Sequence, residues 1–178
     1  MTKETHTKGG YCAGLIMLPF VYNILFKGYS IIYSLILFFV YMYFAYLGSL
    51  APDIDMKRSF ISKLFPKIHK YFGDKFKHRG FTHSILCVCL LQYVLLFLVF
   101  FTEFNEVFLS ISFGFLFGYI SHLLLDILTK EGIELLYPLT INLSLLPIKT
   151  NSKSEKYIYK LLNFMMIFLI GYHFYLLM

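Results

Sequence analysis

His6, Asp53, Asp55, His78, His83, His122 and Asp126 are the side chains in this sequence whose types could do chemistry together. Neutral imidazoles and carboxylates are the donors of Zn2+, Mn2+ and Fe2+ sites, and this many are enough for two metal ions. Two such ions about 3.5–4 Å apart can clamp a phosphoryl group and stabilise its attacking and leaving oxygens together. His122 and Asp126 stand four apart, so they project from one helical face about one turn apart. Pro52-Asp53-Ile54-Asp55 puts two carboxylates at the end of an apolar run, where Pro52 helps to end the helix. In His78-Arg79-Gly80-Phe81-Thr82-His83-Ser84 the histidines flank a glycine that permits a tight turn, and Thr82 or Ser84 can cap the next helix. His6 precedes the first apolar run and is trailed by Gly9 and Gly10, which allow close backbone approach.

Composition says what kind of scaffold must gather these groups. The 178 residues are 58% hydrophobic, 20% aromatic and only 15% charged, too apolar for a soluble domain of this length. Apolar runs fall at residues 11–26, 29–51, 84–102, 107–129 and 157–178. Roughly 20 apolar residues are needed to cross the hydrocarbon core, so four runs are long enough and the first needs a helix that starts earlier, near Thr5. Residues 133–148 are interrupted by Glu134, Pro138, Asn142 and Pro147, the pattern of a re-entrant or interfacial segment packed against protein. The expected fold is all-α: one polytopic membrane domain over residues 1–178, with about five transmembrane helices. Between the second and third runs, Phe60, Ile61, Leu64, Phe65, Ile68, Tyr71 and Phe72 recur at helical spacing among lysines. That is a basic amphipathic helix on a membrane surface, with Pro66 as a point of kinking.

Charge gives the orientation. Of sixteen Lys and Arg residues, only Lys27 falls on the side opposite the candidate ligands. By the positive-inside rule this predicts a cytoplasmic N-terminus in a bacterial inner membrane, with the histidines and aspartates at the cytoplasmic end. The net charge of +6 then reflects topology and attraction of the Lys/Arg-rich loop to anionic lipid head groups, rather than direct contact with nucleic acid. The first ten residues lack the features of a cleavable signal. Cys12, Cys87 and Cys89 have no metal-binding or disulfide spacing and read as core residues. His69, among lysines, reads as a solvated surface residue, and His173 falls at the far end of the last run.

An aspartate at membrane depth costs several kcal/mol unless it is paired or metal-bound. For His122 and Asp126 alone, a hydrogen-bonded pair joining two helices balances metal binding. Delivery of further ligands to the same end by separate helix ends tips the reading to metal.

Together with the N-terminal His and its glycines, the segments Leu47-Gly48-Ser49-Leu50-Ala51-Pro52-Asp53-Ile54-Asp55, His78 to Ser84, and Gly118-Tyr119-Ile120-Ser121-His122-Leu123-Leu124-Leu125-Asp126 resemble the YdjM-type family of inner-membrane metal-dependent hydrolases. The likeness runs from His6 to about Pro138. That family is distantly similar to zinc-dependent phospholipase C and the single-strand zinc nucleases. The resemblance implies His122 and Asp126 as a helical ligand pair, Asp53 or Asp55 as a bridge, and His6, His78 and His83 completing the shells. The soluble enzymes' additional His-x-x-x-Glu pair has no counterpart here, which favours two ions, expected to be zinc with manganese or iron as alternatives, over three.

The expected activity is hydrolysis of a phospholipid-like phosphoester by a metal-bound hydroxide. Arg79 would bind a phosphate oxygen, or serve only as a positive-inside anchor. Whichever of Asp53 and Asp55 does not bridge would act as general base or orient a ligand histidine. The alternative is a non-enzymatic membrane scaffold or regulator with a structural metal or His–Asp network, docking a cytoplasmic partner. An intramembrane relay of a transporter fits less well, because transporter sites lie near the midplane.

Overall fold

The apolar runs become helices whose starts are set by polar caps. In the computed structural model, which describes residues 1–177, these are α1 (Lys3–Leu25), α2 (Ile31–Gly48), α3 (Phe60–Leu64), α4 (Pro66–Lys75), α5 (Ile85–Phe101), α6 (Glu106–Ile127) and α7 (Lys153–Leu177). Ser30, Ser84 and Asn105 accept hydrogen bonds from the first-turn amides of α2, α5 and α6. No strand forms among the described residues. The segment after α6 is held by turns and by isolated bridges between Thr129 and Ile148 and between Ile133 and Leu143. It packs against the protein as an irregular cover, with Ile133 and Glu134 buried, and is not a span.

α2, α6 and residues Lys153–Tyr175 of α7 are each long and apolar enough to cross a membrane. The chain is a helical membrane protein. α5 is apolar but has 17 residues, and α1 has 23 but starts with polar turns. Broad apolar surfaces remain on the outside, including Phe97, Phe100 and Phe101 of α5 and Phe164, Ile167 and Phe168 of α7. Such faces suit a hydrocarbon solvent.

α1 begins earlier than the apolar run. Thr2 is extended, Lys3 starts the helix and Glu4 lies in its first turn, where a carboxylate complements the helix dipole. His6, Gly9 and Gly10 are therefore inside α1, not ahead of it. At the centre, α2 and α6 touch backbone to backbone. A Cβ on Gly118 would lie 2.1 Å from the Ala45 carbonyl oxygen, and one on Gly48 would lie 2.1 Å from that of Phe115, so only glycine fits at either place. α1 packs across both, and α7 lies alongside α1 in parallel. Glu155 accepts from the Thr2 amide and the Thr5 hydroxyl, the Cys12 thiol donates to the Leu162 carbonyl, and His173 Nε2 donates to the Leu15 carbonyl. The starts of α1, α5 and α7 and the ends of α2 and α6 thus share one end of the bundle.

The expected amphipathic helix is two helices. Phe65, held at φ −123° and ψ 67° ahead of Pro66, breaks it, because a residue before proline avoids the helical region. Ile61 is buried, whereas Leu64, Phe65, Ile68 and Tyr71 stay exposed beside lysines.

Candidate metal centre

His122 enters from α6, His83 from a 3-10 turn (Phe81–His83) ahead of α5, and Asp53 from a second 3-10 turn (Ala51–Asp55) after α2. The orientation of each imidazole is fixed by what its Nδ1 touches. His122 Nδ1 lies 2.7 Å from the Ser49 carbonyl oxygen, which can only accept, so the ring proton sits on Nδ1 and the Nε2 lone pair is free. The Thr82 hydroxyl donates to Asp55 at 2.6 Å, so its oxygen accepts from His83 Nδ1 at 3.0 Å, and His83 Nε2 is free as well. These two lone pairs face each other at 3.2 Å. Asp53 Oδ1 lies 3.8 Å from His83 Nε2 and 3.7 Å from His122 Nε2, and Asp126 Oδ2 lies 3.8 and 3.7 Å from the same atoms.

Two acceptor lone pairs 3.2 Å apart, each with carboxylate oxygens beside it, repel their neighbours unless a cation lies between them. Donors about 2.0–2.1 Å from a tetrahedral ion stand roughly 3.3 Å from one another, close to the spacing here. His83 and His122 are fully buried and Asp126 is 1% exposed, while the Asp53 side chain, at 18%, is the one that meets the outside. His6 stacks on His122, ring centroids 3.7 Å apart, with its Nε2 3.3 Å from Asp126 Oδ1 and its buried Nδ1 without a hydrogen-bond partner. The Met1 ammonium also reaches Asp126 Oδ1, at 2.7 Å. α1 comes this close because of its glycines: a Cβ on Gly10 would lie 2.6 Å from that of Ser49. The residues form overlapping groups with metal-ligand spacing: His6, His122 and Asp126; Asp53, His83 and His122; and Asp53, Asp55 and His78.

Two side chains stand differently from the simplest sequence reading. Asp55 has both oxygens occupied, by His78 Nδ1 at 2.9 Å and by the Arg79 amide and Thr82 hydroxyl at 3.2 and 2.6 Å. Of the roles left open for it, orienting ligands fits this geometry, and acting as a free base does not. Burial opposes its charge, yet His78, His83 and Thr82 hold its carboxyl below the usual carboxylate range. Burial likewise opposes charge on His78, and the Asp55 carboxylate outweighs it and raises that imidazole. Arg79 does not offer an open guanidinium to a phosphate. It pairs with Asp126 Oδ2 at 3.2 Å and Glu131 at 3.0 Å, and donates to Thr129 and the Gly132 carbonyl. The tight turn also runs through Arg79, whose φ is 67°, while Gly80 has a negative φ.

Over residues 1–178 the sequence matches the family described as YdjM inner membrane protein. The chain belongs to the YdjM family. It is 39% identical over 110 residues to the uncharacterized protein YvsG of Bacillus subtilis strain 168, a match covering 61% of this chain and 64% of that protein. To the inner membrane protein YdjM of Escherichia coli K12 it is 38% identical over 97 residues, covering 53% and 47%. The chain thus spans between about half and two thirds of the length of these curated relatives. No solved structure matches it.

In this YdjM-family chain, several supporting residues escaped sequence reasoning. Of the two caps the sequence offered, Thr82 and Ser84, it is Ser84 whose hydroxyl accepts from the Cys87 amide at 3.1 Å, and Thr82 takes a role the sequence did not show, orienting His83. Tyr119, three residues before His122, donates its hydroxyl to the Thr82 carbonyl and so locks that turn to α6. His69 is not merely a solvated side chain: its Nδ1 donates to the Ile54 carbonyl at 2.6 Å, tying α4 to the aspartate turn. A buried Glu155 draws α7 to the start of α1. The sequence signal available for Glu155 and Tyr119 was a polar group in or beside an apolar run.

Proposed function

We propose that this YdjM-family protein is a membrane-embedded, metal-dependent hydrolase of a phosphoester in a phospholipid or lipid-like substrate, working at the cytoplasmic face of the bacterial inner membrane. The observation that carries the reading is the pair of unprotonated Nε2 atoms at 3.2 Å, flanked by Asp53 and Asp126 oxygens, which asks for a cation. The unpartnered buried Nδ1 of His6, and its Nε2 3.3 Å from Asp126 Oδ1, support a second ion there, which would displace the Met1 ammonium from that oxygen. Asp126 would hold the first cation through Oδ2 with His83 and His122, while its Oδ1 faces His6. When bound, divalent cations would supply Lewis-acid polarisation of a phosphoryl oxygen and acidify a water. The remaining chemistry falls to the chain. Asp53, the accessible carboxylate of the set, is best sited to take a proton from an attacking water. Asp55 aims His78 directly and His83 through Thr82, and Arg79 holds Asp126 in place while lending positive charge beside it. The inner-membrane location and inward face draw support from the relatives' names, the apolar helices and the one-sided lysines and arginines. The distant likeness to zinc-dependent phospholipase C favours phosphoester substrates.

A structural role is favoured by one specific observation: four protein side chains, His83, His122, Asp53 and Asp126, stand around the same pair of Nε2 atoms, as many as a closed structural zinc site uses. Elemental analysis of detergent-purified protein, paired with hydrolysis of bis(p-nitrophenyl) phosphate and short-chain phospholipids, decides between them. The hydrolase binds zinc or manganese and turns over at least one ester, and Asp126→Asn loses both metal and turnover while staying folded. Bound metal with no turnover of any ester, and melting that falls when metal is removed, would establish the scaffold instead.

A further inference from the structure

Beside the centre lies a cleft of about 290 Å3, lined by Asp53 together with Met1, Lys3, Met56, Ser59 and Phe60. Its walls divide by chemistry. Met56 and Phe60 are exposed apolar side chains, and Phe60 starts α3, whose exposed Leu64 and following Phe65 continue the apolar track away from the cleft. Lys3 is exposed at the rim with its Nζ 3.8 Å above the Phe60 ring, and it forms no ion pair among the described residues. A cation–π contact of this kind positions an ammonium without neutralising it. An unneutralised ammonium, an apolar wall and the accessible carboxylate of a metal-type cluster therefore share one opening of head-group size.

We propose that this cleft is the substrate-binding site, that Lys3 holds the anionic phosphate, and that Met56 and Phe60 take the first carbons of an acyl-bearing group. The inference rests on the hydrolase reading of the adjoining centre and names the residues that would give it lipid specificity. Phosphate is the shared chemistry of a lipid head group and a free ester, and the apolar wall selects the lipid. The charge-assisted contact of Lys3 favours any phosphate, whereas Met56 favours only those with a tail.

The test is calorimetric titration of the zinc-loaded full chain in detergent, with inorganic phosphate and with dioctanoyl phosphatidic acid as separate probes. Metal content is measured on every preparation. The lipid is expected to bind more tightly than inorganic phosphate. Lys3→Met is expected to weaken both probes by about tenfold or more, with zinc content unchanged. Met56→Ser is expected to remove the lipid's advantage and leave phosphate binding as it was. Undiminished binding of both probes by Lys3→Met overturns the cleft assignment while leaving the metal reading intact. Equal affinity of the wild type for the two probes overturns the lipid specificity. A wild-type protein that takes up no zinc, manganese or iron overturns the metal reading itself, and the cleft's role falls with it.

Discussion

Thr82 carries one hydroxyl proton and gives it to Asp55, which leaves its oxygen to receive the His83 Nδ1 proton. One side chain thereby decides which nitrogen of His83 faces the centre. Thr82→Val keeps the shape and removes that instruction. Zinc affinity, measured by competition with a chromophoric chelator, is expected to fall about 10- to 100-fold with little loss of helicity. An unchanged affinity would mean that Thr82 does not set the tautomer. The candidate ligands were legible in the sequence as a cluster, because histidine and aspartate are rare in apolar surroundings and stand out as expensive. Thr82 was not, because a threonine before a helix reads first as a cap and only the folded turn shows which neighbour takes its proton. Arg79 was legible as a charge near the ligands, but not as the partner of Asp126, because that pairing joins positions far apart in the chain.

α2 and α6 position the candidate ligands only as precisely as their backbones meet. The Ser49 carbonyl that orients His122 belongs to the end of α2, so the ring's aim depends on the approach that Gly48 and Gly118 permit. Gly118→Val would drive a side chain into the Ala45 carbonyl, a backbone atom that cannot turn aside. The expected cost is about 3 kcal/mol, read as a lower melting temperature in detergent, together with reduced zinc content. A variant that melts normally and retains its zinc would show that the helices can part without disturbing the site. Apolar runs and Ser or Asn caps made the long helices readable in advance. Their edges were less so: the polar first turns of α1 look like a tail until Glu155 and Asp126 give them partners, and Phe65 breaks the amphipathic stretch that periodicity alone continues.

At the scale of the molecule, the site and nearly all basic residues lie at the same end, with Lys27 beyond the other. With the native cysteines replaced, a cysteine at position 27 is expected to react with an impermeant maleimide added outside intact cells. A cysteine at position 75 is expected to react only after lysis. The reverse pattern would put the site on the outer face and remove cytoplasmic-leaflet lipids from consideration. The pairing of helices across the bundle was not readable, because apolar faces of similar composition do not say which neighbour they meet, and the parallel lie of α7 on α1 depends on scattered polar contacts.

The guanidinium of Arg79 has a consequence for how the centre fills. Asp53, Asp55, Asp126 and the Arg79-paired Glu131 stand against two positive groups, the Arg79 guanidinium and the Met1 ammonium, leaving two negative charges without a counterpart. One divalent ion brings the cluster to neutrality. A second would leave an excess of two positive charges in a low-dielectric setting, which is tolerable only beside a compensating anion. On the hydrolase reading, occupancy of the second position and capture of a phosphate would therefore be a single coupled event, in which the substrate itself completes the catalyst.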